Sequence, residues 1–113
     1  MTLSHRYEPS EPERAEIDGR AGPAVLEFGA PWCGHCIAAL GPIEAAFAAH
    51  PDVHHLKIED GRGKPLGRSF RVKLWPTLVF LCDGEEVARL VRPTLAGPIA
   101  DALAAIDDTH VPP

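Results

Sequence analysis

The sequence predicts an α/β fold, a central mixed β-sheet flanked by helices on both faces. Three observations predict it. Short apolar runs of strand length alternate with segments whose apolar residues recur at spacings of three and four. Asp83-Gly84 joins the last two strand candidates as a two-residue hairpin turn would. A further helical stripe follows that hairpin. A parallel unit followed by an antiparallel hairpin makes a mixed sheet, and its helices cover both faces.

Taken in order, the first 23 residues read as a peripheral lead-in. Ser10-Glu11-Pro12-Glu13 has capping-box spacing and Gly19 is a stop, which predicts a short helix near 11–18. An edge strand near Leu3–Glu8 is weakly signalled. Ala24 to Ala30 is a nearly continuous apolar run between Pro23 and Pro31, suited to a central strand covered on both faces. From Cys33 the pattern turns helical, with Ile37, Leu40, Ile43 and Phe47 on one stripe and His50-Pro51 as the stop. Pro42 lies inside this helix, removes one backbone donor and should kink it. Val53 to Glu59 is the second strand, and Pro65 to Arg71 a short helix with Leu66 and Phe70 on one side. Thr77 to Cys82 is the most apolar strand, and Glu85 to about Val91 the return strand. Pro98 to about Asp107 closes the chain as a helix, with Ile99, Leu103 and Ile106 on one stripe.

Composition narrows the function classes. The chain has 113 residues, 45% hydrophobic and 24% charged, which suits a single domain over 1–113 with its core at about 22–107. A formal net charge of −5 argues against non-specific nucleic-acid or anionic-membrane binding. Arg62, Lys64, Arg68, Arg71 and Lys73 gather locally, and their apolar interruptions suggest a solvated helix face. No apolar run reaches the roughly 18 residues needed to span a bilayer. Met1 to Ile17 lacks the apolar stretch of a secretory signal, which suggests the cytosol.

Two of the three cysteines, Cys33 and Cys36, lie two residues apart between a strand and a helix. At the start of a helix the unpaired N–H groups and the dipole favour a thiolate on Cys33. Cys36 lies one turn on, near enough to close a ring with Cys33 and more shielded. Cys33 is therefore the expected nucleophile and Cys36 the resolving thiol. Glu27 is the single charge in its apolar strand. A carboxylate buried there must be paired or keep its proton; the alternative is that it leaves the sheet at an edge.

Glu27-Phe28-Gly29-Ala30-Pro31-Trp32-Cys33-Gly34-His35-Cys36 resembles the active-site segment of the thioredoxin superfamily. The Ala-Pro-Trp-Cys-Gly-His-Cys run looks most like the catalytic domains of protein disulfide isomerase. Trp75-Pro76-Thr77 opens the most apolar strand, as the superfamily's cis-proline segment does, and the resemblance covers roughly residues 22–107. It implies a thioredoxin-like fold and exchange of disulfides with protein substrates, without a bound organic cofactor. An unnamed partner must supply or accept the electrons, and a monomer is expected. The resemblance further implies that Pro76 is cis and lies against the cysteines, with the backbone around Trp75 pairing an extended substrate as an added strand. Trp32, Trp75, Pro76 and Thr77 are then the substrate-binding residues. Glu27 matches the buried acid that relays a proton to or from Cys36. Within the site dipeptide Gly34-His35, an imidazole beside Cys33 should stabilise its thiolate and make the couple less reducing.

Departures from the family bear on partner choice. Gly29 stands where relatives usually carry an aromatic, leaving the site floor less filled. Ile37 replaces a usual lysine, and Pro42 comes one residue late. Arg92-Pro93 falls where thioredoxins have a glycine lining the groove; Arg92 narrows that groove, tunes a cysteine, or is a plain surface arginine, the better of the readings. Cys82 reads as a buried inert thiol. His54 and His55 point to opposite strand faces and chelate together poorly, and no metal site is expected. The sum is a protein disulfide oxidoreductase, with reduction favoured by a cytosolic setting and oxidation or isomerisation by the Gly-His dipeptide. The rivals are a redox-silent binding module of the same fold and a Cys-x-x-Cys metal site.

Overall fold

The computed structural model describes residues 6–107. Strands β1 (Pro23–Gly29), β2 (His54–Glu59), β3 (Thr77–Cys82) and β4 (Glu85–Val91) form one sheet in the order β2-β1-β3-β4. β1 runs parallel to β2 and antiparallel to β3, and β3 pairs antiparallel with β4. The sheet is mixed, as the order of signals predicts, and β1 is a central strand buried on both faces.

Helices α1 (Arg14–Asp18), α2 (Gly34–Phe47), α3 (Pro65–Ser69) and α4 (Ala96–Ile106) divide between the faces. Val25, Leu78 and Phe80 pack beneath Ile43 and Phe47 of α2 and Ile99, Leu103 and Ile106 of α4. Leu26, Phe28, Val79 and Leu81 pack on the other side with Ile17 of α1, Leu66 of α3 and Phe70 at its end. Fully burying such side chains stabilises by about 1.5–3 kcal/mol each. Because successive strand residues alternate, Val25, Glu27 and Gly29 all face α2. That alternation sets a carboxylate and a glycine beneath the first turns of α2.

Several expectations shift in detail. The capping box is real but sits three residues later: Glu13 is the N-cap, and the Glu16 side chain returns to its amide. In α2, Ile43 and Phe47 are buried, whereas Ile37 and Leu40 face outward. Small residues, Ala39 and Ala46, share the inward stripe instead, letting the helix approach the sheet closely. α2 continues through Pro42, α3 ends at Ser69, and α4 begins at Ala96, so Pro98 lies in its first turn. Of Arg62, Lys64, Arg68, Arg71 and Lys73 only Arg68 is on a helix; the others lie on the segments flanking α3. Cys82 is only partly buried, at the margin of the core.

The predicted edge strand at Leu3–Glu8 extends outside the described residues, and residues 6–8 form no strand. One backbone bond, from the Glu8 amide to the Lys57 carbonyl (2.8 Å), lays this segment along the outer edge of β2. At the far end, Asp83 and Gly84 both have positive φ (51° and 81°), a turn that matches the twist of the β3–β4 hairpin. Among the described residues no helix is long and apolar enough to cross a membrane.

Candidate active site

Cys33 is the N-cap of α2, and its Sγ accepts the Cys36 amide N–H at 3.2 Å. This is the geometry in which a helix terminus stabilises a negative charge, with the thiol replacing the usual capping oxygen. Cys36 lies one turn further and is the more buried of the two, at 2% exposure against 7% for Cys33. Both thiols are free. Burial, together with the hydrogen bond to Cys33, pushes the Cys36 thiol up to about 11. Gly34 and His35 are exposed on the first turn beside the pair.

Ala30, Cys33 and Cys36 form a small apolar cluster closed by Trp75. The Trp75–Pro76 peptide bond is cis. Trp32, exposed at 72%, meets Trp75 edge to face with ring centroids 5.4 Å apart. The Trp75 indole N–H donates to an Asp60 carboxylate oxygen at 2.9 Å, which sets the ring's orientation. The two tryptophans thus rim the cysteine pair. Thr77 is placed otherwise. It is buried and its hydroxyl donates to the Leu74 carbonyl, so the side chain is not available to a ligand in the groove. Arg92 is more than a surface arginine: its Nε donates to the Trp75 carbonyl at 2.9 Å and its amide to the Pro76 carbonyl at 2.8 Å.

Glu27 is 1% exposed on the central strand, so it does not leave at an edge. Parallel pairing with β2 supplies its partners. His55 Nε2 lies 2.8 Å from Oε1, and Lys57 Nζ 3.9 Å from Oε2. Lys57 is itself buried, and its ammonium stands 4.9 Å from the centroid of the Tyr7 ring. His54 and His55 do point to opposite faces, and among the described residues no three His, Cys, Asp or Glu side chains gather as a metal cage.

The floor under Cys36 is filled despite Gly29. A Cβ at position 29 would stand 2.6 Å from Cys36 Sγ and 3.0 Å from the Tyr7 hydroxyl, so these two groups occupy the room an aromatic there would need. Beside them a groove of about 790 Å³ opens between the 6–9 segment and α2, walled by Tyr7, Cys36 and the outward-facing Ile37 and Leu40. Tyr7, His55 and Lys57 escape a reading of the sequence. His55 and Lys57, on either side of Leu56 in sequence, lie together on the Glu27 face of β2, so the period-2 pattern of that strand was the available signal. Tyr7 had none.

A helix-capping Cys-x-x-Cys pair on a mixed sheet, with the tryptophan of a cis Trp-Pro bond packed against it, defines the class of dithiol–disulfide proteins. The thioredoxin family model matches residues 11–105, and the chain belongs to that family. A solved structure of thioredoxin 2 from Pseudomonas aeruginosa PAO1 in its reduced form is similar with a TM-score of 0.81 and 52% identity, over 91% of this chain and 95% of that one. Thioredoxin H-type 1 of Nicotiana tabacum is 40% identical over 68 residues, covering 59% of this chain and 53% of the relative. Protein disulfide-isomerase A2 of Pongo abelii is 41% identical over 98 residues, covering 70% of this chain but 18% of the relative. The chain therefore spans about half or less of the length of these two sequence relatives.

Proposed function

We propose that the chain is a thiol–disulfide oxidoreductase that exchanges disulfides with protein substrates through the Cys33–Cys36 couple, acting as a thioredoxin-type reductase. The observation that carries this reading is the asymmetry of the pair. Cys33 caps α2 next to Trp32 and is the less buried thiol, while Cys36 is the more deeply buried, with its thiol pushed up to about 11. Cys33 Sγ attacks a substrate disulfide, forming a mixed disulfide and releasing one substrate thiolate. Cys36 then gives up its proton and attacks Cys33 Sγ, forming the Cys33–Cys36 bond and releasing the second. A thiol held near 11 is almost wholly protonated at neutral pH, so this step needs a base. Glu27, buried on the strand below and paired with His55 and Lys57, is assigned that relay.

Trp32 and Trp75 rim the substrate groove, and the backbone at Trp75 and Pro76 receives an extended peptide as an added strand. The Arg92 guanidinium occupies the Trp75 carbonyl and must be displaced or shared when it does. Gly34 leaves room for the substrate over Cys33, and His35 tunes the thiolate beside it. The reaction requires no bound organic cofactor. Its electrons come from a separate donor, and we read the chain as a single-domain, monomeric, cytoplasmic protein.

The test is the equilibrium potential of the Cys33–Cys36 couple against a glutathione buffer, with Cys33→Ser as control. A value near about −270 mV supports a reductase, and one near about −180 mV an oxidase or isomerase instead. If no reversible disulfide forms, the oxidoreductase reading fails and a binding module of the same fold takes its place.

A further inference from the structure

One buried polar group beside the cysteines has no part in the reaction so far: the Tyr7 hydroxyl. It arrives from outside the sheet, on the segment tied to β2 by the Glu8–Lys57 backbone bond. The Lys57 ammonium faces its ring, and the hydroxyl reaches the space over Gly29. Cys36 Sγ points into the same space. Gly29 lies within a regular strand and has no left-handed φ, so its backbone does not call for glycine. What position 29 needs is the missing Cβ, because a side chain would displace both the sulfur and the phenol.

Among the described residues the Tyr7 oxygen is buried without an aligned hydrogen-bond partner. An orphaned buried donor calls for an explanation, and one explanation is a partner that forms at another stage of the reaction. A neutral thiol is a poor acceptor, whereas a thiolate takes a strong charge-assisted bond. Burial first, then the charges of Cys36 and Glu27, hold the Tyr7 phenol well above its ordinary range. It therefore keeps its proton as a donor throughout the physiological range.

We propose that Tyr7 is the hydrogen-bond donor that receives the Cys36 thiolate during resolution, and that residue 29 is glycine so that the two groups can meet. The proposal rests on the reading of Cys36 as the resolving thiol. In that step the Cys36 proton passes to Glu27 and the electron pair stays on Cys36 Sγ. The thiolate then attacks Cys33 Sγ, the Cys33–Cys36 bond forms, and the substrate sulfur leaves with its bonding pair. Tyr7 holds the charge between proton loss and attack, and keeps its own proton.

Mixing the reduced protein with 5,5′-dithiobis(2-nitrobenzoate) separates the two steps. The first thionitrobenzoate released reports attack by Cys33, and the second reports resolution by Cys36. Tyr7→Phe keeps the ring and removes the donor. It should slow the second release about tenfold or more, the effect of one hydrogen bond to a charged group. It should move the pH profile of that release upward and leave the first release within about twofold. Gly29→Ala, which pushes the same two groups apart, should slow the second release too, and the double variant should be no slower than the slower single one. A second release in Tyr7→Phe at the wild-type rate and pH midpoint overturns the proposal. So does equal slowing of both releases, which marks a structural role, or multiplication of the two effects. Wild-type protein that never gives a second release overturns the resolving role of Cys36 and this proposal with it.

Discussion

Replacing Glu27 with glutamine should expose the energetics of the buried charges under the active site. The carboxylate, at 1% exposure, faces Lys57 Nζ at 3.9 Å and His55 Nε2 at 2.8 Å. Glutamine preserves the size of the side chain and an oxygen for His55, but removes the charge opposite Lys57. Two unit charges at that separation attract by about 4 kcal/mol at an effective dielectric of about 20. Orphaning one partner of a buried pair costs about 3–5 kcal/mol. Against a total stability of about 5–15 kcal/mol that is a large fraction, and it should lower the melting temperature by roughly 15 °C. Urea unfolding of the reduced protein at pH 7 measures it, with Lys57→Met and the double variant completing the cycle. The double variant should recover at least half of the Glu27→Gln loss, because Lys57→Met removes the stranded ammonium. The reasoning is refuted if Glu27→Gln costs less than about 1 kcal/mol, or if the two single losses add within about 0.5 kcal/mol.

Two further outcomes follow from local geometry. The Cys36 thiol, held at about 11 against an ordinary 9.0, binds its proton more tightly folded than unfolded. Its contribution to stability is complete below pH 9 and is lost as the pH rises through 11. The urea midpoint of the reduced protein should fall over that window, and Cys36→Ala should flatten the fall; an unaltered slope would count against the shift. At the hairpin, Gly84 has φ of 81° and a Cβ there would run into the Asp18 carbonyl at the end of α1. Gly84→Ala should cost about 2 kcal/mol in a thermal melt, from left-handed strain plus that collision, and a neutral substitution would show that the hairpin moves freely off α1.

Much of this was legible before the structure, for reasons that are local. A nearly continuous apolar run from Ala24 to Ala30 suits a strand covered on both sides, and β1 is the central strand. Asp83-Gly84 accepts two positive φ angles, and the turn forms there. A Cys-x-x-Cys that follows a strand and opens a helix must place its first thiol at the helix N-terminus. Helix faces were harder to read. Ile37 and Leu40 continue the 3–4 spacing of Ile43 and Phe47, yet in those turns the inward positions belong to Cys36 and Ala39, and Ile37 and Leu40 face the groove beside the 6–9 segment.

The chain by itself determined the class of fold, the hairpin and the place of the two thiols at the start of a helix, since each depends on residues within a turn or a strand of one another. Tertiary structure alone decided what surrounds the thiols. Whether Glu27 meets His55 and Lys57 depends on the β1–β2 register, and a one-residue slip would turn both partners to the opposite face. Whether the room above Gly29 stays empty depends on a tyrosine 22 positions earlier, brought there by a single backbone bond to β2. Contacts of that kind have no period and no spacing, because loop closure constrains where a distant segment lands only weakly.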